Sequence, residues 1–297
     1  MNAHLGQFAA LLTACCWTVT ALAFESAGKR IGSLSVNLIR LVLALVFLTG
    51  YNALFRGRAL PLDASAGTWW WLCLSGLVGF TLGDLCLFRA YVLIGARITT
   101  LFMLLAPPVT AVIGWIFLGE TLTGLNWLGM SITVGGVALA ASERRPTENG
   151  ARHPHLASGV ALGVGAAVCQ AVGLILSKHG MGDYSPFAAT QIRAFAGMIG
   201  FAVIFFFVGW WPKVWESLHH GPAMARVTLG AFFGPFLGVS FSLMAVQNTK
   251  AGIAATIMST VPILILAPAA LVFKEKITPR AITGAALAVV GVALLFG

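Results

Sequence analysis

Three charged side chains lie well away from the ends of long apolar runs of this sequence: Arg40, Asp84 and Arg193. An isolated charge at the centre of a bilayer costs from about 2.5 kcal/mol upward, so each needs a partner or a polar surface. Arg40 lies ~9 Å into the second run and Asp84 ~10 Å from the end of the third run, at the same face. The matching depths predict a mainly structural Arg40–Asp84 ion pair, with Glu25 as a competing partner for Arg40.

A guanidinium that faces a cavity can bind a carboxylate through two parallel hydrogen bonds, which makes Arg193 a candidate substrate ligand. Other polar, aromatic or thioether side chains in the runs could line the same cavity. These candidates are Trp17, Thr20, Met103, Gln170, Gln191, Ser240 and Met244. For each Met and Trp, plain helix packing is the alternative role. A buried amide needs partners, which favours the two glutamines.

Metal, cofactor and enzyme chemistry find no support in the sequence. The five cysteines lie within apolar stretches without a C-x-x-C motif, and the histidines avoid the interiors of the runs. G-x-S-x-G, H-E-x-x-H, a Walker lysine and a D-x-x-x-D pair are all missing. We therefore expect no metal, no cofactor and no enzymatic activity.

The elements that position these residues are membrane helices. The chain is 59% hydrophobic and 9% charged, against about 25% charged residues in soluble domains. Its net charge of +9 lies mostly at the ends of apolar runs, which suits lipid headgroups and not nucleic acid. A span needs about 20 apolar residues. Ten runs meet this length, at 5–24, 34–55, 69–91, 98–118, 124–141, 157–177, 186–209, 226–247, 251–273 and 278–296.

An internal repeat organises the ten runs. At one fixed offset the following residues align: Gly79 with Gly234, Gly83 with Gly238, Pro107 with Pro262, Glu120 with Glu275, and Gly136 with Gly291. At a slightly smaller offset Arg40 aligns with Arg193 and Cys16 with Cys169. We predict a first five-helix repeat at 1–141, a polar linker at 142–156 and a second five-helix repeat at 157–297.

Each predicted half has an odd number of spans, so the second half enters the membrane from the opposite side. Such inverted repeats are typical of secondary transporters, whose substrate site lies between the halves. The repeat aligns Asp84 with Val239, so the second half keeps its arginine and loses the carboxylate. Arg193 is then satisfied either by backbone carbonyls, Asp183 or snorkelling, or by the carboxylate of a substrate.

Two five-helix halves, each with a proline followed by a glutamate at the next helix joint, carry a family resemblance. The joints read G-E-T-L-T at 119–123 and K-E-K-I-T at 274–278, and Trp17 lies in the first helix. The chain resembles the EamA-type drug/metabolite transporters, and within that family the YddG-type aromatic amino-acid exporters are the suspected subgroup. The resemblance implies alternating-access movement of a small metabolite, commonly export.

The predicted function is export of small amphipathic metabolites, with amino acids of large apolar or aromatic side chain as the favoured substrates. A non-transporting scaffold, a lipid-handling protein or a transporter of another metabolite class remain alternatives. We expect the bacterial inner membrane as the location, and a monomer is compatible with the sequence. Loop charge would place the N-terminal face outside, because it holds only Arg56, Arg58, Lys178 and Lys250. The resemblance implies that both termini are inside.

Overall fold

The computed structural model describes residues 3–118, 122–141, 155–249, 251–273 and 278–296. In that part of the chain every regular element is a helix. In chain order these are α1 (Ala3–Ile31), α2 (Ser33–Arg56), α3 (Ala66–Gly76), α4 (Asp84–Met103), α5 (Ala106–Leu118), α6 (Gly124–Ala141), α7 (Leu156–Met181), α8 (Pro186–Val208), α9 (Trp211–Leu218), α10 (Gly221–Ala231), α11 (Val239–Asn248), α12 (Ala251–Met258), α13 (Val261–Leu264), α14 (Leu266–Phe273) and α15 (Pro279–Phe296). Two π-helical segments, π1 (Leu77–Gly83) and π2 (Phe232–Gly238), join α3 to α4 and α10 to α11.

Within the described residues, six helical segments are long and apolar enough to cross a membrane. They are His4–Ile31, Ser33–Arg56, Ala66–Met103, Leu156–Met181, Pro186–Val208 and Gly221–Asn248. At about 1.5 Å per residue, each can traverse a hydrocarbon core of about 30 Å. The prediction of an all-helical membrane protein is therefore confirmed for these six segments.

The other four predicted spans form shorter or interrupted helices in the described residues. A turn at Leu104 and Leu105 separates α4 from α5, directly before Pro107 and Pro108. The run at 251–273 is divided into α12, α13 and α14 around Pro262 and Pro268. Proline removes a helical hydrogen bond and clashes with the preceding turn, which explains these breaks. The count of ten spans stays a prediction. Glu120, Glu275 and nearly all of the predicted linker lie outside the described residues.

The two halves of the chain are interleaved. The first helix, α1, packs against α10, π2 and α11 of the second half. In the same way, α7 packs against α3, π1 and α4 of the first half. One such contact is polar, because the Ser75 hydroxyl lies 2.7 Å from that of Ser177. Each half therefore completes its packing with helices of the other.

Helices α6 and α15, the last of each half, pack along a seam of small residues. A Cβ added to Gly136 would lie 2.5 Å from the backbone nitrogen of Ala288, and one added to Gly291 would lie 2.4 Å from that of Thr133. Thr133 on α6 lies against Gly291 on α15, and Gly136, later in α6, lies against Ala288, earlier in α15. The two helices therefore run antiparallel. Glycine is required here because any side chain would push the backbones apart.

Candidate functional site

A cavity of about 260 Å³ lies between the two halves. Its walls come from α1, α2, π1, α4 and α5 of the first half and from α7, α8, π2 and α11 to α13 of the second. Arg40, Asp84 and Arg193 all line it. These three charged residues, one each from α2, α4 and α8, are thus brought together at one place, surrounded by a wall that is otherwise mostly apolar.

Asp84 accepts three hydrogen bonds from side chains of α2 and α7. Its carboxylate accepts a hydrogen bond from the Arg40 guanidinium, and Asp84 and Arg40 are almost fully buried, at 4% and 3% exposure. Its second carboxylate oxygen accepts a bond of 3.1 Å from the amide of Gln170. Asn37 donates to the Asp84 carbonyl at 3.2 Å and accepts from Arg40 Nε at 3.3 Å. Both oxygens of the carboxylate therefore have a protein partner.

Aromatic rings surround the Arg40 guanidinium. Its Cζ lies 4.6 Å from the centre of the Phe88 ring, 5.6 Å from that of Phe80 and 5.8 Å from that of Phe24. Cation–π attraction of this kind is worth about 2 kcal/mol when the cation is desolvated. The ion pair and the rings together offset the cost of burying Arg40.

Arg193 is buried to the same degree as Arg40 but has different surroundings. It is 4% exposed, and its Cζ lies 4.8 Å from the centre of the Phe80 ring. Its Nε has no hydrogen-bond partner among the described residues. A Cβ on Gly76 would lie 2.3 Å from the Arg193 carbonyl oxygen, so α3 and α8 are in backbone contact here. In the described chain the Arg193 guanidinium forms no salt bridge, with Asp183 or with any other carboxylate, and Asp84 attracts it only from beyond salt-bridge distance.

Four more of the residues predicted from the sequence line the cavity: Trp17, Thr20, Met103 and Gln170. Glycines on the facing helices make room for two of them. A Cβ on Gly238 would lie 2.9 Å from the Trp17 indole, and one on Gly234 would lie 2.8 Å from Thr20 Cγ2. The Thr20 hydroxyl is buried and has no partner in the described part of the chain.

The other three predicted residues lie away from the cavity lining. The Gln191 amide accepts a bond of 2.8 Å from Asn52 and donates to Thr49 at 3.0 Å and to the Ala59 carbonyl at 2.9 Å. Ser240 is fully buried, and its hydroxyl has no partner in the described residues. Met244 packs in the hydrophobic core. These residues support the fold around the site and do not form its wall.

Glu25, the competing partner for Arg40, is engaged elsewhere. Its carboxylate accepts a hydrogen bond of 2.8 Å from the backbone N–H of Ala96 and a salt bridge from Lys29. Gly95, directly before Ala96, has φ 81° and ψ 159°, a conformation that L-residues with a side chain rarely adopt. The helix thus breaks at Gly95, and Glu25 caps the new helix that begins at Ala96.

The phenylalanines around Arg40 were not predicted from the sequence. Phe24, Phe80 and Phe88 line the cavity, but the chain has 20 phenylalanines, and nothing in their spacing distinguishes these three. The repeat does contain a signal, because the counterparts of Phe80, Phe88 and Tyr91 in the second half are non-aromatic. When only one half of a repeat has aromatic residues at such positions, the difference indicates that this half contributes them to a specialised site.

Comparison with known proteins gives a consistent result. The chain is 33% identical over 135 residues to an "Uncharacterized transporter in cobO 3'region" of Sinorhizobium sp, which covers 46% of this chain and 95% of that relative. A solved structure titled only "Crystal structure of protein" superposes with a TM-score of 0.69 over 99% of this chain and 96% of its own, at 16% identity, and so supports the fold. The model of the EamA-like transporter family matches residues 4–142 and again 157–297. The match is made twice and spans nearly the whole chain. The protein therefore belongs to the EamA-like transporter family.

Proposed function

We propose that this membrane transporter exports small amphipathic metabolites that carry a carboxylate on a large apolar or aromatic body, amino acids of that kind included. The observation that carries the proposal is the buried Arg193 guanidinium at the wall of an otherwise mostly apolar cavity. A buried charge without a partner is costly, so a ligand that pairs with it gains most of that cost back. The location we propose is the bacterial inner membrane.

Alternating access between two inverted five-helix halves would move the substrate. The antiparallel seam of α6 and α15 supports this arrangement, because equivalent helices of two repeats run antiparallel only if one repeat is inverted. A two-fold axis in the membrane plane then relates the halves. The breaks before Pro107 and at Pro262 lie beside the cavity, where helices must bend if it is to open to one face and then the other.

The apolar part of the substrate would lie against the rings and thioethers of the wall. Phe80 and Phe88 provide flat apolar surfaces, and Met103 and Met258 provide adaptable ones. The unpartnered Thr20 hydroxyl offers one hydrogen bond to a polar group of the ligand. Trp17 and Gln170 complete the wall on the two first helices. A large apolar body with one charged head fits these surfaces.

Counterflow in proteoliposomes tests the proposal. The purified protein is reconstituted, loaded with unlabelled phenylalanine and given labelled phenylalanine outside, and unlabelled metabolites then compete. We expect accumulation that carboxylates with large apolar bodies inhibit and that their amines do not. Accumulation no faster than in protein-free vesicles, for phenylalanine and for every other labelled carboxylate tried, would mean that the protein is not this transporter.

Variants of Arg193 assign the carboxylate ligand. Arg193→Lys keeps the charge but loses the two parallel hydrogen bonds, so it should keep partial transport, and Arg193→Gln should keep less. Arg58→Gln is the matched control, because Arg58 is exposed and lies outside the cavity. If both Arg193 variants fold and transport at the wild-type rate, Arg193 has a structural role and the carboxylate binds elsewhere.

A further inference from the structure

The cavity carries an unbalanced positive charge. In the part of the chain that the structure describes, its charged lining residues are Arg40, Asp84 and Arg193, two cations and one anion. Asp84 is paired with Arg40, so the excess charge resides on Arg193. The wall is otherwise apolar apart from the side chains of Trp17, Gln170 and a few Ser, Thr and Tyr residues. A charge in such surroundings is poorly solvated, and a bound anion would neutralise it.

An ammonium group finds no comparable site. Among the described residues of the lining, the carboxylate of Asp84 is the one anionic group, and its two oxygens already accept bonds from Arg40 and from Gln170. An ammonium next to Asp84 would also lie close to the Arg40 guanidinium, which repels it. A zwitterion would therefore satisfy Arg193 with its carboxylate and leave its ammonium desolvated beside another cation.

We infer that the site selects a substrate with a net negative charge, a monocarboxylate with a large apolar or aromatic body and no ammonium beside the carboxylate. The inference rests on the proposed function and narrows its substrate class. Binding of such an anion makes the cavity neutral, whereas a zwitterionic amino acid leaves its excess charge in place. Amino acids then bind as the weaker members of the substrate class.

The repeat shows where the second half lacks a carboxylate that could balance Arg193, and so which substitution would remove the excess charge. Val239 lines the cavity at the position in the second half that corresponds to Asp84 in the first. By the repeat, an acidic residue at position 239 would be placed to pair with Arg193 in the way that Asp84 pairs with Arg40. The substitution Val239→Asp therefore makes the lining neutral, and Val239→Asn has nearly the same shape without the charge.

A ligand series with one body and three heads tests the inference. We would measure thermal unfolding of the detergent-solubilised protein with 3-phenylpropionate, phenylalanine and phenethylamine. Binding is measured instead of flux because the weak acid also crosses bilayers as the neutral acid. We expect half-maximal stabilisation by the anion at a concentration at least about tenfold lower than by the amino acid, and none by the amine. Equal or better stabilisation by phenylalanine would overturn the inference.

The variants provide the second arm. In Val239→Asp the preference for the anion over the amino acid should disappear, and in Val239→Asn it should persist. Arg193→Gln removes the excess charge by another route and should also abolish the preference, which covers the case that Val239→Asp does not fold. Arg58→Gln should behave as wild type. Anion preference that persists in a folded Val239→Asp or Arg193→Gln protein would show that its source is not the charge of this cavity.

The two proposals fail separately. Arg193-dependent anion binding without any counterflow would reject transport and keep the selectivity for anions. Counterflow of phenylalanine with no preference for the anion in the binding series would keep transport and reject the selectivity.

Discussion

The amide of Gln170 donates a hydrogen bond of 3.1 Å to the carboxylate of Asp84, and the two residues belong to different halves of the chain. Gln170 is the repeat counterpart of Trp17, so the equivalent position in the first half carries an indole instead. The two positions also face equivalent glycines, Gly83 and Gly238. The same packing thus presents an amide to a carboxylate on one side of the cavity and an aromatic ring on the other.

The Arg40–Asp84 ion pair should show strong coupling. Asp84→Leu leaves a buried cation and Arg40→Met a buried anion, so each single change should cost about 3–5 kcal/mol of folding free energy. The double variant removes both charges and should recover much of that loss. Thermal unfolding in detergent measures all four proteins. Additive losses would show that the two side chains do not interact.

Glu25 should stabilise the protein mainly through its hydrogen bond to the Ala96 N–H and less through its charge. Glu25→Ala removes the acceptor of the Ala96 N–H and should lower stability by about 1–2 kcal/mol. Glu25→Gln keeps an acceptor oxygen and should cost less. Lys29→Gln is the control for the ion pair, and because Lys29 is half exposed the change should cost less than about 1 kcal/mol. Equal losses in the Gln and Ala variants would instead assign the effect to charge.

The α6–α15 seam has a neighbouring internal control. Gly136→Val should clash with Ala288 and destabilise the protein by about 1–3 kcal/mol, through overpacking. Gly135→Val makes the same change one residue away, where an added Cβ meets no described atom within 4 Å. Folded yield and melting temperature after purification give the comparison. Two variants of equal stability would argue against close packing of these helices.

The Asp63 cluster predicts a pH dependence at the end of α2. Asp63 accepts bonds from Arg56 at 2.8 Å and from the Tyr184 hydroxyl at 3.0 Å, and Arg58 lies 3.6 Å away. Burial alone would raise the pKa of Asp63, but the Tyr184 hydrogen bond and the two arginines outweigh it and lower that pKa below its ordinary value.

A carboxyl with a lowered folded-state pKa stabilises fully above its unfolded pKa of about 3.9 and loses this effect as pH falls through the folded value. Asp63→Asn removes the stabilisation at every pH. The wild type should therefore exceed Asp63→Asn by at most about 1 kcal/mol at pH 7, and the difference should shrink below about pH 4. Melting curves of both proteins across that range test it, and a constant difference would contradict the lowered pKa.

The main features of the fold follow from the sequence because helix length and charge depth are local properties. Arg40 and Asp84 could be matched by counting residues from the ends of their runs, since each residue adds about 1.5 Å of depth. The breaks at Pro107 and Pro262 also follow from residue type. Whether these broken helices still cross the membrane is not local, because it depends on which helices cover their interruptions.

The site could be predicted only in part. Gln191 was expected at the cavity because a buried amide needs partners, and it has them in Asn52, Thr49 and the Ala59 carbonyl. The physical rule holds, but the sequence does not tell whether such a partner is protein or substrate. Asn52 and Gln191 lie in different halves, and a single sequence does not specify contacts between halves.

Because the halves are interleaved, helices of the first half are synthesised before the second-half helices that pack against them. Ser75 and Asp84 are made 102 and 86 residues before their partners Ser177 and Gln170. At about 5–20 residues per second, α3 and α4 are made on the order of 5–20 s before α7, the helix that packs against both of them. Arg40, in contrast, precedes Asp84 by 44 residues and is already present when that helix emerges. The ion pair can therefore neutralise Asp84 within the nascent first half. This allows α4 to insert into the membrane before the second half is synthesised.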